Sequence, residues 1–104
     1  MKPNPLAVES ALCDKDPMVK INKLEFKHEV LQILQEECAE VIQAASKCVR
    51  FGTEENLLHL EKELGDVLCI LDILHQHDMV SLTNLDQFVA EKYEKLEKYS
   101  NLLK

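Results

Sequence analysis

Two pairs of carboxylates stand out by their spacing. Glu37 and Glu40 are three residues apart, and so are Glu63 and Asp66. On a helix this spacing puts both members of a pair on neighbouring positions of one face. Val30, Leu34, Glu37, Val41, Ala44 and Cys48 recur every three or four residues, and Glu37 alone is charged among them. Glu40 lies on the adjoining edge of that face. Glu63 and Asp66 run in line with Ile70 and Ile73. An apolar row is the side a helix turns toward a core, so four acids are aimed at a place where unpaired charge is costly.

Two carboxylates about 5 Å apart repel by about 3 kcal/mol at an effective dielectric of about 20. Four that converge need cations, and hard divalent ions with oxygen ligands, Mg²⁺ foremost, meet that need. Zinc fits poorly. Cys13, Cys38, Cys48 and Cys69 form no CxxC pair, and no Cys or His accompanies the acids at matching positions. A di-iron carboxylate bundle would want Glu-x-x-His on two helices, whereas Glu40 and Asp66 follow Glu37 and Glu63. The plain alternative is a solvated acidic face, common for one such pair and harder to sustain for two on successive helices.

A third row, Leu85, Val89, Lys92, Leu96, Tyr99 and Leu103, is interrupted by Lys92, with Lys95 one turn along an adjacent row. These lysines suit either neutralising the acids or gripping a phosphate; otherwise their stems pack on apolar surface while the amines reach water. His59, one turn before Glu63, is placed for a metal's outer shell or for the surface. His28, nine residues before Glu37, is placed for contact with a base or sugar or for the helix surface, and His75 and His77 read as caps or surface residues at the end of the second helix.

Three helices would position these groups. Pro3, Pro5 and Pro17 mark residues 1–21 as an irregular N-terminal arm, and residues 22–104 as a single all-α domain. Asn22, three residues before Glu25, resembles a capping box. Lys23 to Phe51 contains no Pro or Gly, and Gly52 supplies the stop. Thr53, followed by Glu54 and Glu55, opens a second helix to about His77. Thr83, with Asp86 three residues on, opens a third that continues to the C-terminus. Short connections predict antiparallel neighbours, hence an antiparallel helical bundle. Between residues 67 and 74 seven of eight positions are apolar, Asp72 being the exception. A helix apolar all round needs cover all round, which predicts a bundle completed by homo-oligomerisation.

Composition bounds the rest. A chain of 104 residues forms one domain. Twelve Lys and Arg against 19 Asp and Glu give a net charge of −7, which disfavours nucleic acid and anionic membranes as partners. No apolar run approaches the roughly 20 residues of a membrane span, and the cysteines, three of the four in apolar, helix-like segments, read as small hydrophobes, reduced in a cytoplasm.

At these residues the chain resembles the all-α nucleoside triphosphate pyrophosphohydrolases. Glu36-Glu37-Cys38-Ala39-Glu40 matches that superfamily's EExxE signature and Glu63-Leu64-Gly65-Asp66 its ExxD signature, with 22 residues between Glu40 and Glu63. The superfamily includes MazG-like proteins, dimeric dUTPases, dCTP pyrophosphatases and phosphoribosyl-ATP pyrophosphatase. The Glu-Leu-Gly-Asp form followed by an apolar run is especially MazG-like. The resemblance covers roughly residues 24–100 and implies a helical bundle completed as a homodimer or dimer-of-dimers tetramer. It implies Mg²⁺-dependent cleavage between the α and β phosphates of a nucleoside triphosphate, giving a monophosphate and pyrophosphate, with Mn²⁺ as a substitute ion. By the same resemblance Glu37, Glu40, Glu63 and Asp66 are metal-binding positions, and Glu36 positions or deprotonates the attacking water. Lys92 and Lys95 fall in a C-terminal basic segment that meets the phosphates. Two other readings stay open: a phosphoribosyl-ATP pyrophosphatase-like hydrolase, and a catalytically inactive dimeric helical interaction module.

Overall fold

The computed structural model describes residues 23–104, so the arm at 1–21, the Asn22 cap and Cys13 lie outside the described residues. Three helices and no strand occur among the described residues: α1, Lys23–Phe51; α2, Glu54–Gln76; and α3, Leu82–Tyr99.

Each helix end has a local cause. Gly52 leaves α1 with φ +61°, and its amide donates to the Cys48 carbonyl at 2.9 Å. That left-handed turn is open to glycine without the strain a Cβ would bring. The Thr53 hydroxyl then accepts from the Asn56 amide at 3.2 Å and starts α2. At the far end of α2 the Asp78 amide donates to the His75 carbonyl and the Met79 amide to the Leu74 carbonyl. These two bonds make a Schellman motif, here with Asp78 at the left-handed position, φ 57°. Met79 packs against the same core cluster as Leu74.

The start of α3 differs from the expectation. Ser81, not Thr83, is the N-cap, its hydroxyl accepting from the Asn84 amide at 3.3 Å. Both residues are cap-type; Met79 and Val80 are drawn onto the core, which turns the chain early enough for Ser81 to begin the helix. Nor does α3 continue to the C-terminus: it ends at Tyr99, and Ser100 closes it with its amide on the Leu96 carbonyl.

α1 and α2 pack as an antiparallel pair. Phe26, at the start of α1, meets His77, at the end of α2, with ring centroids 4.2 Å apart. Val30 joins Ile70 and Leu74 in the buried cluster, flanked by Ile33, Leu34, Leu71 and Ile73. Ala44 is buried further along α1. The apolar row read from the sequence is therefore the packed face of α1.

α3 contributes no buried residue, and a radius of gyration of 17.8 Å exceeds the roughly 13 Å of a compact domain of this length. The crowded apolar segment of α2 is covered on one side only: Ile70 and Leu74 are buried, while Leu68 is 64% exposed. Asp72 interrupts that run at an exposed edge, accepting from the Gln76 side-chain amide at 2.8 Å. Cys38 and Cys69 are exposed, not packed, because their faces of α1 and α2 point away from the contact between the two helices; Cys48 is half-buried.

Candidate metal centre

Antiparallel packing sets the middle of α1 against the middle of α2, and the four acids meet there. Glu37 and Glu40 from α1, and Glu63 and Asp66 from α2, each place a carboxylate oxygen within 4.8 Å of the others. Glu63 is buried, Glu37 and Asp66 are half-buried and Glu40 is exposed, so the cluster opens to solvent on the Glu40 side.

The environment of these groups is unbalanced. Glu37 Oε2 and Glu63 Oε2 are both buried without a hydrogen-bond partner. Among the described residues, basic side chains contact only the α2 pair. Lys62 Nζ donates to Glu63 Oε1 at 3.1 Å and to Asp66 Oδ2 at 2.9 Å. His59 Nε2 lies 3.5 Å from Glu63 Oε1. A hydrogen bond to Glu63, with the charges of Glu63 and Glu37, holds Glu40's carboxyl above its ordinary range. Glu63 is held below that range by its bonds with Glu40 and Lys62. Glu40 thus keeps a proton more readily than Glu63 does. Asp66 and Glu63 together hold the Lys62 ammonium well above its usual value.

The donor set fits a hard cation. All four groups offer carboxylate oxygens, the ligand type that Mg²⁺ and related ions take. Two buried oxygens without donors are the coordination that such an ion would satisfy. Among the described residues this is the grouping of acids, histidines and cysteines close enough to share a metal.

The other residues singled out in the sequence fall elsewhere. Glu36 is exposed beside the cluster without being a member of it. Lys92 lies on α3 in an open groove with Val89, Tyr93 and Leu96, and Lys95 is exposed on the same helix. Neither lysine forms an ion pair with the four carboxylates. Sequence reasoning missed Lys62. Its signal was present: Lys62 stands four residues before Asp66, the spacing of an ion pair along a helix face.

No curated protein and no solved structure matches the chain. A family profile does, that of the MazG nucleotide pyrophosphohydrolase domain, over residues 26–100. That stretch takes in both acidic motifs, most of α1 and all of α2 and α3, from Phe26 on α1 to Ser100 just past α3. On a match over well over half its length, the chain belongs to the MazG nucleotide pyrophosphohydrolase family.

Proposed function

We propose that this protein is a Mg²⁺-dependent nucleoside triphosphate pyrophosphohydrolase, cleaving the α–β phosphoanhydride of a (d)NTP to release a (d)NMP and pyrophosphate. The observation that carries the reading is the pair of buried, donor-free oxygens, Glu37 Oε2 and Glu63 Oε2. Burying such atoms costs stability, and a cation-binding role accounts for that cost.

Glu37, Glu40, Glu63 and Asp66 are the proposed ligands, with Mg²⁺ preferred and Mn²⁺ a substitute. When bound, a hard divalent ion supplies Lewis acidity, a more acidic water and positive charge for a polyanionic substrate. The chain's own part is to fix the four oxygens on two packed helices and to keep the core side of the site dry. Glu36, one residue before Glu37 and open to solvent, is assigned to orient the attacking water or accept its proton. Lys92 and Lys95 are assigned to the phosphates, a role that requires α3 to approach the cluster, within its own chain or from a second copy.

A homodimer or dimer-of-dimers tetramer belongs to the same proposal. Leu64 and Leu68 are exposed on α2, and Gly65 beside them has nothing within 4 Å of where a Cβ would sit. A glycine inside a helix costs about 0.5–1 kcal/mol relative to alanine, and no atom among the described residues uses the space it leaves. A second subunit seated there would both bury the leucines and use that space. The substrate would come from a cytoplasmic nucleotide pool.

The test is turnover by Glu37→Gln and Asp66→Asn, each first checked by circular dichroism to be folded and helical. Loss of Mg²⁺-dependent release of pyrophosphate in both supports the assignment; retained activity in either rejects it.

A further inference from the structure

Lys62 occupies an unusual place. Its neighbour Glu63 points about 100° around the helix from it, so the ammonium reaches both Glu63 Oε1 and Asp66 Oδ2 only by bending its stem between the two directions. The lysine side chain is 64% exposed while Glu63's is 5% exposed. The charged end of this exposed side chain touches two of the four proposed ligands at 3.1 and 2.9 Å. Among the described residues no cation pairs with the α1 acids, and Glu37 Oε2 is left without a partner.

We propose that the Lys62 ammonium is a tethered counter-ion that holds the α2 half of the site in the metal-free protein and is displaced when a divalent cation binds. This rests on the metal-binding reading above. A divalent ion held by Glu63 and Asp66 would sit against an ammonium bonded to the same two carboxylates. Like charges at that range repel strongly in a partly buried setting, so both cannot stay. No bond is made or broken covalently; the lysine exchanges two carboxylate contacts for solvent, which its exposed stem permits. Lys62 thereby keeps Glu63 and Asp66 together when no metal is present and sets how much metal is needed to fill the site.

The experiment compares the full chain with Lys62→Met and Lys62→Arg. Methionine keeps the length and helix preference of lysine without its charge, and arginine keeps the charge. Two partly exposed ion pairs of ordinary strength correspond to a change of about three- to tenfold. Calorimetric titration with Mg²⁺ should therefore show Lys62→Met binding about three- to tenfold more tightly than the native chain, with Lys62→Arg close to native. In thermal denaturation Lys62→Met should melt lower than the native chain in chelator, and the gap should close at saturating Mg²⁺. A purely structural lysine would leave that gap open. Equal or weaker Mg²⁺ binding by Lys62→Met overturns the proposal and leaves the metal site standing. Absence of Mg²⁺ and Mn²⁺ binding by both proteins overturns the proposal together with the reading on which it rests.

Discussion

Glu37 on α1 and Glu63 on α2 bring carboxylate oxygens within 4.8 Å of each other across the helix pair, and each buries an Oε2 atom that no donor reaches. Nothing in the packing requires this. Val30, Ile70 and Leu74 form the core further along, and apolar residues at 37 and 63 would extend it without electrostatic cost. The two acids are the point where the fold departs from what stability alone favours, as functional sites commonly do.

Glu37→Gln should therefore separate stability from activity. The amide removes one of the crowded charges and adds a donor for a neighbouring carboxylate, so the melting temperature in chelator should rise. Turnover with Mg²⁺ should fall beyond the roughly 10–100-fold typical of losing a group one step removed from a metal. A lower melting temperature in chelator would contradict the claim that Glu37 is electrostatically frustrated.

Protons and metal should compete at Glu40. Its carboxyl is raised from an ordinary value of 4.5, so the metal-free fold holds a proton that the unfolded chain has lost. That contribution to stability is complete below the ordinary value and fades as pH rises through the raised one. Glu63, lowered from the same value, acts in the opposite sense, its contribution being lost as pH falls through its lowered pKa. On the proposed ligation Mg²⁺ displaces the Glu40 proton, so affinity should strengthen as pH rises through the raised pKa. Calorimetry in buffers of different ionisation enthalpy should detect proton release on binding at the acid end and little at the alkaline end. Affinity independent of pH, with no proton release, would count against this coupling.

The exposed apolar side of α2 should govern assembly. Leu68, 64% exposed in the single chain, is the position to charge. Leu68→Asp should shift the mass measured by size exclusion with light scattering toward the single chain and leave helicity intact. A native chain that already runs as a monomer would contradict the proposed oligomer.

At the end of α2, Asp78 adopts the left-handed conformation with φ 57°. An L-residue with a Cβ is strained there by about 1–2 kcal/mol, somewhat less for Asp. Asp78→Gly should relieve part of that strain and stabilise the protein by up to about 1 kcal/mol, read as a higher denaturation midpoint.

Much of this molecule was legible in its sequence because periodicity reports the packed face directly. The row through Val30, Glu37 and Ala44 is the face α1 turns to α2, and Gly52 and Thr53 end and start helices through local bonds alone. Long-range choices were not legible. Ser81 and Thr83 are equally good caps by chemistry, and the docking of Met79 and Val80 decided between them. The pairing of Lys62 with Asp66 is legible in their i, i+4 spacing, whereas its link to Glu63 is not, because it comes from a flexible stem and not from helix register. Cys38 and Cys69 were expected among packed residues, but which faces α1 and α2 leave open depends on how few partners cover them.

The central claim is that four carboxylates assembled between α1 and α2 serve a metal-dependent pyrophosphohydrolase. It is tested most directly by incubating the full chain with a panel of standard and modified (d)NTPs and phosphoribosyl-ATP, with Mg²⁺ and with chelator, and identifying the products. The expected result is equimolar nucleoside monophosphate and pyrophosphate from at least one (d)NTP, with Mg²⁺ only. Orthophosphate as the sole product, or no turnover of any triphosphate by protein shown to bind the metal, would contradict it.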